Sequence, residues 1–322
     1  MRVASLDGSA GSGLPVIDRR GPAVLAVLGA AVLWGTVGAA QELGAPGAAP
    51  ASVAAVRTLA GGLLLALTMV ALGQGPRLMH VVRVAFVPVL GAAAAITVFQ
   101  VGYLTGIREV GVALGTLVAI GSAPAAAGVL AALGGRRPSR RWMLATTATV
   151  AGTAVLLLAG EDVGTGAGSA VLGVLAALAA GAAYGTYTTV SKRILERGAD
   201  GPAAMAVIFV VAGVLLVPAL VVTDTRWLAE PAGFATAAWI TVAATVLGYT
   251  LFARGLRALD APSVTTLTLA EPLTATVLAI AVVGERPTPL GALGAGLLLA
   301  GLVAIGGRPA APRVGSAVTD RH

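Results

Sequence analysis

The sequence predicts an all-α membrane protein of ten transmembrane helices, arranged as two inverted five-helix repeats. Three observations predict it. First, the composition cannot clothe a soluble surface. Hydrophobic residues make up 57%, charged residues 11%, and the mean hydropathy is +0.92, whereas a soluble domain carries about a quarter charged residues. Second, apolar runs of about 17–25 residues, enough to cross a bilayer, recur ten times along the 322 residues. Third, the second half of the chain repeats the first at an offset of about 149–150 residues, with Trp34 falling on Tyr184 and Gly106 on Gly255.

Composition also excludes chemistry. There is no cysteine, and the two histidines are His80 and His322. Disulfides, thiol nucleophiles and cysteine-ligated metals are therefore ruled out, and the expected cofactor and metal complement is none. No HExxH occurs, and Gly164-Thr165-Gly166-Ala167-Gly168 has no lysine, so it is not a phosphate loop of the Walker type. Lys192 is the only lysine among 21 basic residues. With the wealth of Ala, Gly and Pro, this is the codon signature of a GC-rich bacterial genome.

Residues 1–20 are polar and Gly/Ser-rich and read as a disordered cytoplasmic tail. The first five-helix repeat is expected over 21–160, the second over 168–307, and a second cytoplasmic tail over 308–322. The spans fall near 22–40, 51–72, 84–105, 111–132, 142–159, 168–190, 203–222, 233–252, 262–283 and 289–306. The gap at 106–110 is a break of only five residues. Arg19-Arg20 precedes the first run but is followed by nine more, which argues against a cleaved export signal.

Charge placement orients these spans, because cytoplasmic loops hold the excess of Arg and Lys. With the N-terminus inside, every basic residue except Arg57, Arg108, Arg226 and Arg286 falls on an inside segment. Acids gather outside, among them Glu42, Glu109, Glu161 and Asp224. The net charge of +7 is thus a consequence of topology, and no nucleic-acid partner is expected. Both termini lie in the cytoplasm of a bacterial cell, with the chain in its plasma membrane.

The repeat carries the functional argument. Gly135-Arg136-Arg137-Pro138-Ser139 falls on Gly284-Glu285-Arg286-Pro287-Thr288. An odd number of spans per half turns the second half upside down. Inverted repeats are the common architecture of secondary transporters, because two such halves can expose one central site to either face.

These residues resemble the EamA-type transporters of the drug/metabolite transporter superfamily. The matching features are Leu33-Trp34-Gly35, Arg57 early in the second span, Leu269-Ala270-Glu271-Pro272-Leu273 in the ninth, Gly284-Glu285-Arg286-Pro287 and the Gly-rich last span. They cover roughly 22–307. Where the family often has Gly-Glu after the fourth span, this chain has Gly135-Arg136. The resemblance implies a central cavity lined by both halves and export of small metabolites, amino acids or related compounds.

Glu271 is the sharpest site candidate. It stands about nine residues into its span, and a charge at that depth costs roughly 2.5–3.5 kcal/mol on insertion scales. Such a residue faces a cavity or a partner, as a proton or cation site or as the partner of a substrate amine; the structural alternative is a buried hydrogen bond. Pro272 has no N–H to donate, and is a kink candidate together with Pro124 in the fourth span. Arg57 is the only basic residue well inside a span. It can pair with Glu271, bind a substrate carboxylate through its bidentate fork, or snorkel outward. Trp34, Tyr184, Tyr187, Gln100, Tyr103, Ser122 and Tyr249 are polar or aromatic candidates within spans, and Ser122 is the repeat mirror of Glu271. For each of these, helix packing is the structural alternative.

The expected function is secondary active transport, with export of small metabolites or drugs by alternating access. The expected partners are a small-molecule solute, protons as coupling ion and the lipid bilayer, with the oligomeric state open. Three rivals stay open: an integral membrane enzyme on a lipid or acyl substrate, a non-transporting structural or regulatory membrane protein, and, within transport, a facilitator or flippase. No His, Cys or paired-carboxylate set supports the enzyme, so no catalytic residues are assigned.

Overall fold

The computed structural model describes residues 20–110, 112–159, 170–278, 280–281 and 288–306. The tails expected at 1–20 and 308–322, except Arg20, and the Gly284-Glu285-Arg286-Pro287 motif lie outside the described residues, as does the Gly-rich segment at 164–168. The described residues are helical and contain no strand. The first half contributes α1 (Arg20–Gly44), α2 (Pro50–Ala71), α3 (Gly75–Val110), α4 (Val112–Leu133) and α5 (Arg140–Ala159). The second contributes α6 (Ala170–Glu196), α7 (Gly201–Val222), α8 (Pro231–Trp239), α9 (Gly248–Ala258), α10 (Ala261–Leu267), α11 (Ala270–Leu278) and α12 (Pro289–Gly306).

Among the described residues, eight helices are long and apolar enough to cross a membrane: α1, α2, α3, α4 over Gly115–Leu133, α6, α7, the continuous run Pro231–Ala258, and α12. No more than half of the most apolar stretch of each is buried inside the protein. Large apolar side chains such as Leu25, Val87 and Val222 point outward. This is the pattern of a chain whose outer solvent is lipid, in which backbone groups must be satisfied within helices.

Two local features depart from the expected spans. Residues 106–110 are helical, because α3 runs on to Val110. The polar stretch before residue 84 is helical too, and a kink at Ala85 (φ −142°, ψ 28°) joins it to the rest of α3. Pro88 stands three residues further on; its ring removes one ladder bond and crowds the preceding turn. Pro124, the kink candidate of the fourth span, sits inside α4, whose helix continues on both sides of it.

The ninth expected span, in contrast, is not one helix. It divides at Thr268-Leu269 into α10 and α11. Asp260 starts α10 by accepting from the Ser263 backbone N–H at 2.9 Å and its hydroxyl at 3.0 Å. Thr265, Thr266 and Thr268 then bond back to carbonyls one turn earlier, a habit that bends helices. Pro272 cannot donate to the Thr268 carbonyl. The eighth span carries the second irregularity, a π-helical segment over Ile240–Leu247 between α8 and α9.

The packing maps onto itself when the halves are exchanged. α3 lies on α6 as α9 lies on α1; α4 lies on α6 as α11 lies on α1; α2 meets α7 and α5 meets α12 across the axis. The α5–α12 crossing shows the register. A Cβ at residue 152 would stand 2.8 Å from the Gly294 carbonyl oxygen, and one at residue 301 would stand 2.8 Å from the Ala145 carbonyl oxygen. Residues 152 and 301, like 145 and 294, are 149 apart. Small residues let these backbones touch where no hydrophobic force drives helices together. The crossing runs through Gly294, Leu298 and Gly301, whereas Gly296 faces open space.

Candidate functional site

Aromatic residues are scarce in this chain, at 4%, and the fold concentrates them. All four tyrosines, Trp34, Phe99, Phe209 and Phe252 form one connected cluster. Trp34 from α1 meets Tyr249 from α9 with ring centroids 4.8 Å apart at 44°. Tyr184 from α6 meets Phe99 from α3 at 5.1 Å and 41°. Residues 34 and 184, and 99 and 249, are each 150 apart, so these two pairs are images of one another across the pseudo-twofold axis. Tyr187 and Phe252, stacked at 5.9 Å, and Phe209, 4.1 Å from Tyr249, join them.

Most of the polar tips in this cluster find partners. The Trp34 indole N–H donates to the Ala244 carbonyl at 2.8 Å. Ala244 lies in the π-helical segment, where the ladder is locally shifted; π segments of this kind recur at functional sites. Tyr187 donates to the Met205 sulfur at 3.2 Å. Tyr103 and Thr116 share a hydrogen bond of 2.9 Å, and Tyr184 lies beside Thr268 at the α10–α11 break.

Arg57 and Glu271 enter this frame from opposite halves. Both are half-buried. Glu271 is in the first turn of α11, just past the break, and Arg57 is two turns into α2. Glu271 feels the Arg57 charge, and both charges act on Tyr103, Tyr184 and Tyr249. Yet among the described residues the two form no direct ion pair, and neither side chain makes a hydrogen bond. An acid and a base thus share one aromatic neighbourhood with their hydrogen-bonding capacity unspent.

Why the chain folds this way locally is visible at Gly35. A Cβ there would stand 2.6 Å from the Thr274 Cβ and 2.7 Å from the Glu271 carbonyl oxygen. The glycine after Trp34 therefore lets α1 rest directly on the turn that holds Glu271. Gln100 is buried on α3 and reaches the Thr58 hydroxyl at 3.4 Å, next in sequence to Arg57.

Of the candidates, Glu271, Arg57, Trp34, Tyr184, Tyr187, Tyr103 and Tyr249 come together, and Gln100 flanks them. Ser122 does not join them. Its hydroxyl turns back toward the Ala119 carbonyl at 3.4 Å and packs against α6 at Gly181. The mirror position of Glu271 is thus a helix contact, and the charges break the symmetry that the aromatics keep. Phe99, Phe209 and Phe252 escaped the sequence reading because phenylalanine in an apolar span carries no signal of its own. The repeat offset that sets Phe99 on Tyr249 could have revealed one of them.

Among the described residues no three His, Cys, Asp or Glu side chains gather to hold a metal. A cavity of about 580 Å³ opens at the bundle end where α4 stops and α5, α6, α10 and α12 meet. None of the sequence candidates lines it. Thr189, Pro262 and Ser263 do, on the helices α6 and α10 that lead to Tyr184 and Thr268.

A multi-pass helical fold with two superposable halves around a shared polar and aromatic centre is the architecture of a membrane transporter. The EamA-like transporter family pattern matches this chain twice, over residues 21–158 and 171–307. The chain is 38% identical over 288 residues to an uncharacterized transporter of Bacillus subtilis (strain 168), YwfM, covering 88% of this chain and 94% of that one. A protein of known crystal structure shares the fold with a TM-score of 0.75 at 19% identity, over 88% of this chain and 96% of that one. The chain belongs to the EamA-like transporter family, within the drug/metabolite transporter superfamily, and is a multi-pass membrane protein.

Proposed function

We propose that this protein is a secondary active exporter of small organic solutes in a bacterial plasma membrane. In this reading α5 and the broken α10–α11 pair add two crossings to the eight long apolar helices, giving ten in two inverted sets of five with both termini cytoplasmic. Alternating access arises from rocking of the two halves about the aromatic centre.

One observation carries the reading: Arg57 and Glu271 stand in electrostatic range of each other within that centre and spend no hydrogen bonds on each other. A solute bearing an amine can take Glu271, and one bearing a carboxylate can take Arg57 in a bidentate geometry. The aromatic faces suit the body of the solute and any cationic group on it. When Glu271 holds a proton instead of the solute, release and reset are coupled to the proton gradient. Amino acids and related metabolites carry both charges.

The test begins with untargeted metabolite profiling of medium from cells that express wild type or Glu271→Gln at equal membrane abundance. A solute enriched by wild type is then followed in liposomes with an imposed pH gradient. Wild type should concentrate it uphill, and Glu271→Gln should not. Uphill accumulation by Glu271→Gln equal to wild type would overturn the coupling role. Chemical conversion of a lipid by the purified protein would favour the enzyme reading instead.

A further inference from the structure

Among the described residues, the wall of the cavity at the α4–α5 end holds more basic than acidic side chains. Six basic side chains line it, Arg20, Arg136, Arg137, Arg141, Lys192 and Arg193, against two acids, Glu196 and Asp260. Both acids are committed: Glu196 pairs with Arg136 at 3.1 Å, and Asp260 caps α10. Several of the cations hold helix ends. Arg141 donates to the Ala304 carbonyl at 2.8 Å, Arg20 to the Ile305 carbonyl at 3.1 Å, and Lys192 to the Leu256 and Arg257 carbonyls at 2.8 and 2.9 Å. Carbonyls satisfy donors and offset part of a charge through the helix dipole. The positive-inside tendency explains why basic residues collect on this face; it does not explain why they converge on one concavity of ligand size.

Three donors remain uncommitted there. Among the described residues the Arg137 and Arg193 guanidinium groups make no hydrogen bond or ion pair. The Trp142 indole N–H is buried with no partner, although its ring is seated against Gly128. A buried donor left unmade costs about 1–3 kcal/mol, which a ligand oxygen would remove. The rest of the wall is mostly apolar, with Leu130, Pro262 and Ile305 among its residues, broken by the hydroxyls of Ser139, Thr189 and Ser263. The volume, about 580 Å³, lies within the usual range for small-molecule sites.

We propose that this cavity binds an amphiphilic organic anion. A phosphate or carboxylate head sits among Arg137, Arg193 and the Trp142 N–H, and an apolar body lies along the Leu130–Pro262–Ile305 wall. The same chemistry belongs to the headgroup region of an anionic phospholipid and to a soluble organic anion. The site stands apart from Arg57 and Glu271, and its occupancy is measurable without transport.

The test uses the full-length protein in phosphatidylcholine nanodiscs, with hexyl phosphate as the soluble probe and hexanol as its neutral control. Tryptophan emission should change saturably with hexyl phosphate and not with hexanol. The apparent affinity should fall with salt. In R137Q/R193Q it should weaken by about tenfold or more, as expected when two charge-assisted contacts are lost. Trp142→Phe should lose the optical response while retaining weakened binding by calorimetry. A parallel set of nanodiscs contains phosphatidylglycerol. If the protein then retains phosphatidylglycerol in native mass spectrometry and binds hexyl phosphate more weakly, the site is supported with a lipid occupant. If hexyl phosphate binds equally in both, it is supported with a soluble one. Hexyl phosphate binding equal in wild type and R137Q/R193Q, both with unchanged melting temperature, would overturn the proposal. So would absence of both saturable binding and lipid retention.

Discussion

Trp34 shows how one side chain joins two elements. Its indole N–H satisfies the Ala244 carbonyl, in a segment whose backbone ladder is shifted, and its ring packs on Tyr249 and Phe252. Trp34→Phe keeps much of the ring contact but loses the buried indole hydrogen bond to the Ala244 carbonyl. The expected cost is about 1–3 kcal/mol, read as a lower melting temperature in detergent, with Trp34→Leu lower still. Asp224 offers a residue-scale test outside the membrane. It accepts from the Arg226 backbone N–H at 2.8 Å and from the Arg226 guanidinium at 2.8 and 3.0 Å. These bonds hold its carboxyl below the ordinary aspartate value of 3.8. Because the folded value is depressed, the contact stabilises the loop fully above the ordinary value and is lost as pH falls through the folded one. A carboxyl-carbon NMR titration of Asp224 should show a midpoint below 3.8, moving up in Arg226→Gln, and no change in loop order between pH 5 and 8.

The elements depend on caps and close approaches. Asp200 starts α7 by accepting from the Ala203 N–H at 3.2 Å, and its other oxygen faces Arg77 at 3.5 Å and Arg257 at 4.0 Å. Asp200→Ala should cost about 1 kcal/mol through the cap, and less through the half-exposed ion pairs. Gly135 and Gly198 end α4 and α6 with φ of 80° and 86°, a backbone state that glycine adopts without strain. At the α5–α12 crossing, Gly152→Val and Gly301→Val each drive a side chain into the backbone of the facing helix. Overpacking costs about 1–3 kcal/mol or more. The two substitutions should lower the melting temperature by similar amounts, because the contacts are mirror images. A large effect from one and none from the other would show that the two crossings bear load differently.

At the scale of the whole molecule, the proposed topology is open to direct labelling, because the native chain has no cysteine. Ser139→Cys and Arg197→Cys should react with a membrane-impermeant maleimide only after the inner face is exposed. Gly47→Cys and Asp224→Cys should react in intact cells. Reaction of Ser139→Cys and Asp224→Cys from the same side would remove the inverted arrangement. The molecule is also asymmetric where its frame is symmetric. Trp34–Tyr249 and Tyr184–Phe99 obey the pseudo-twofold, whereas Glu271 faces a mirror Ser122 that is absorbed in helix packing. In the proposed mechanism the two halves move alike while one carboxylate alone exchanges its proton.

The order of residues alone establishes the class of fold, the repeat and its offset, and the membrane as solvent. These depend on composition and periodicity, which act residue by residue along the chain. It also marked Glu271, Arg57 and the four tyrosines, because polar or amphipathic groups stand out against an apolar background. Where the helices break and which marked residues meet are settled only in three dimensions. Pro124 and Pro272 look alike in sequence, yet α4 stays whole and the ninth span divides. That outcome rests on the hydroxyls of Thr265, Thr266 and Thr268, which offer the α10 carbonyls local partners. Ser122 and Glu271 are equivalent by offset, and each packs on the first helix of the opposite half, but the Ser122 hydroxyl is taken up by the contact with Gly181, whereas the Glu271 carboxyl makes no hydrogen bond among the described residues. The phenylalanines of the centre and the convergence of Arg137, Arg193 and Trp142 were likewise invisible, because contacts between residues distant in sequence are set by helix packing, which no local pattern records.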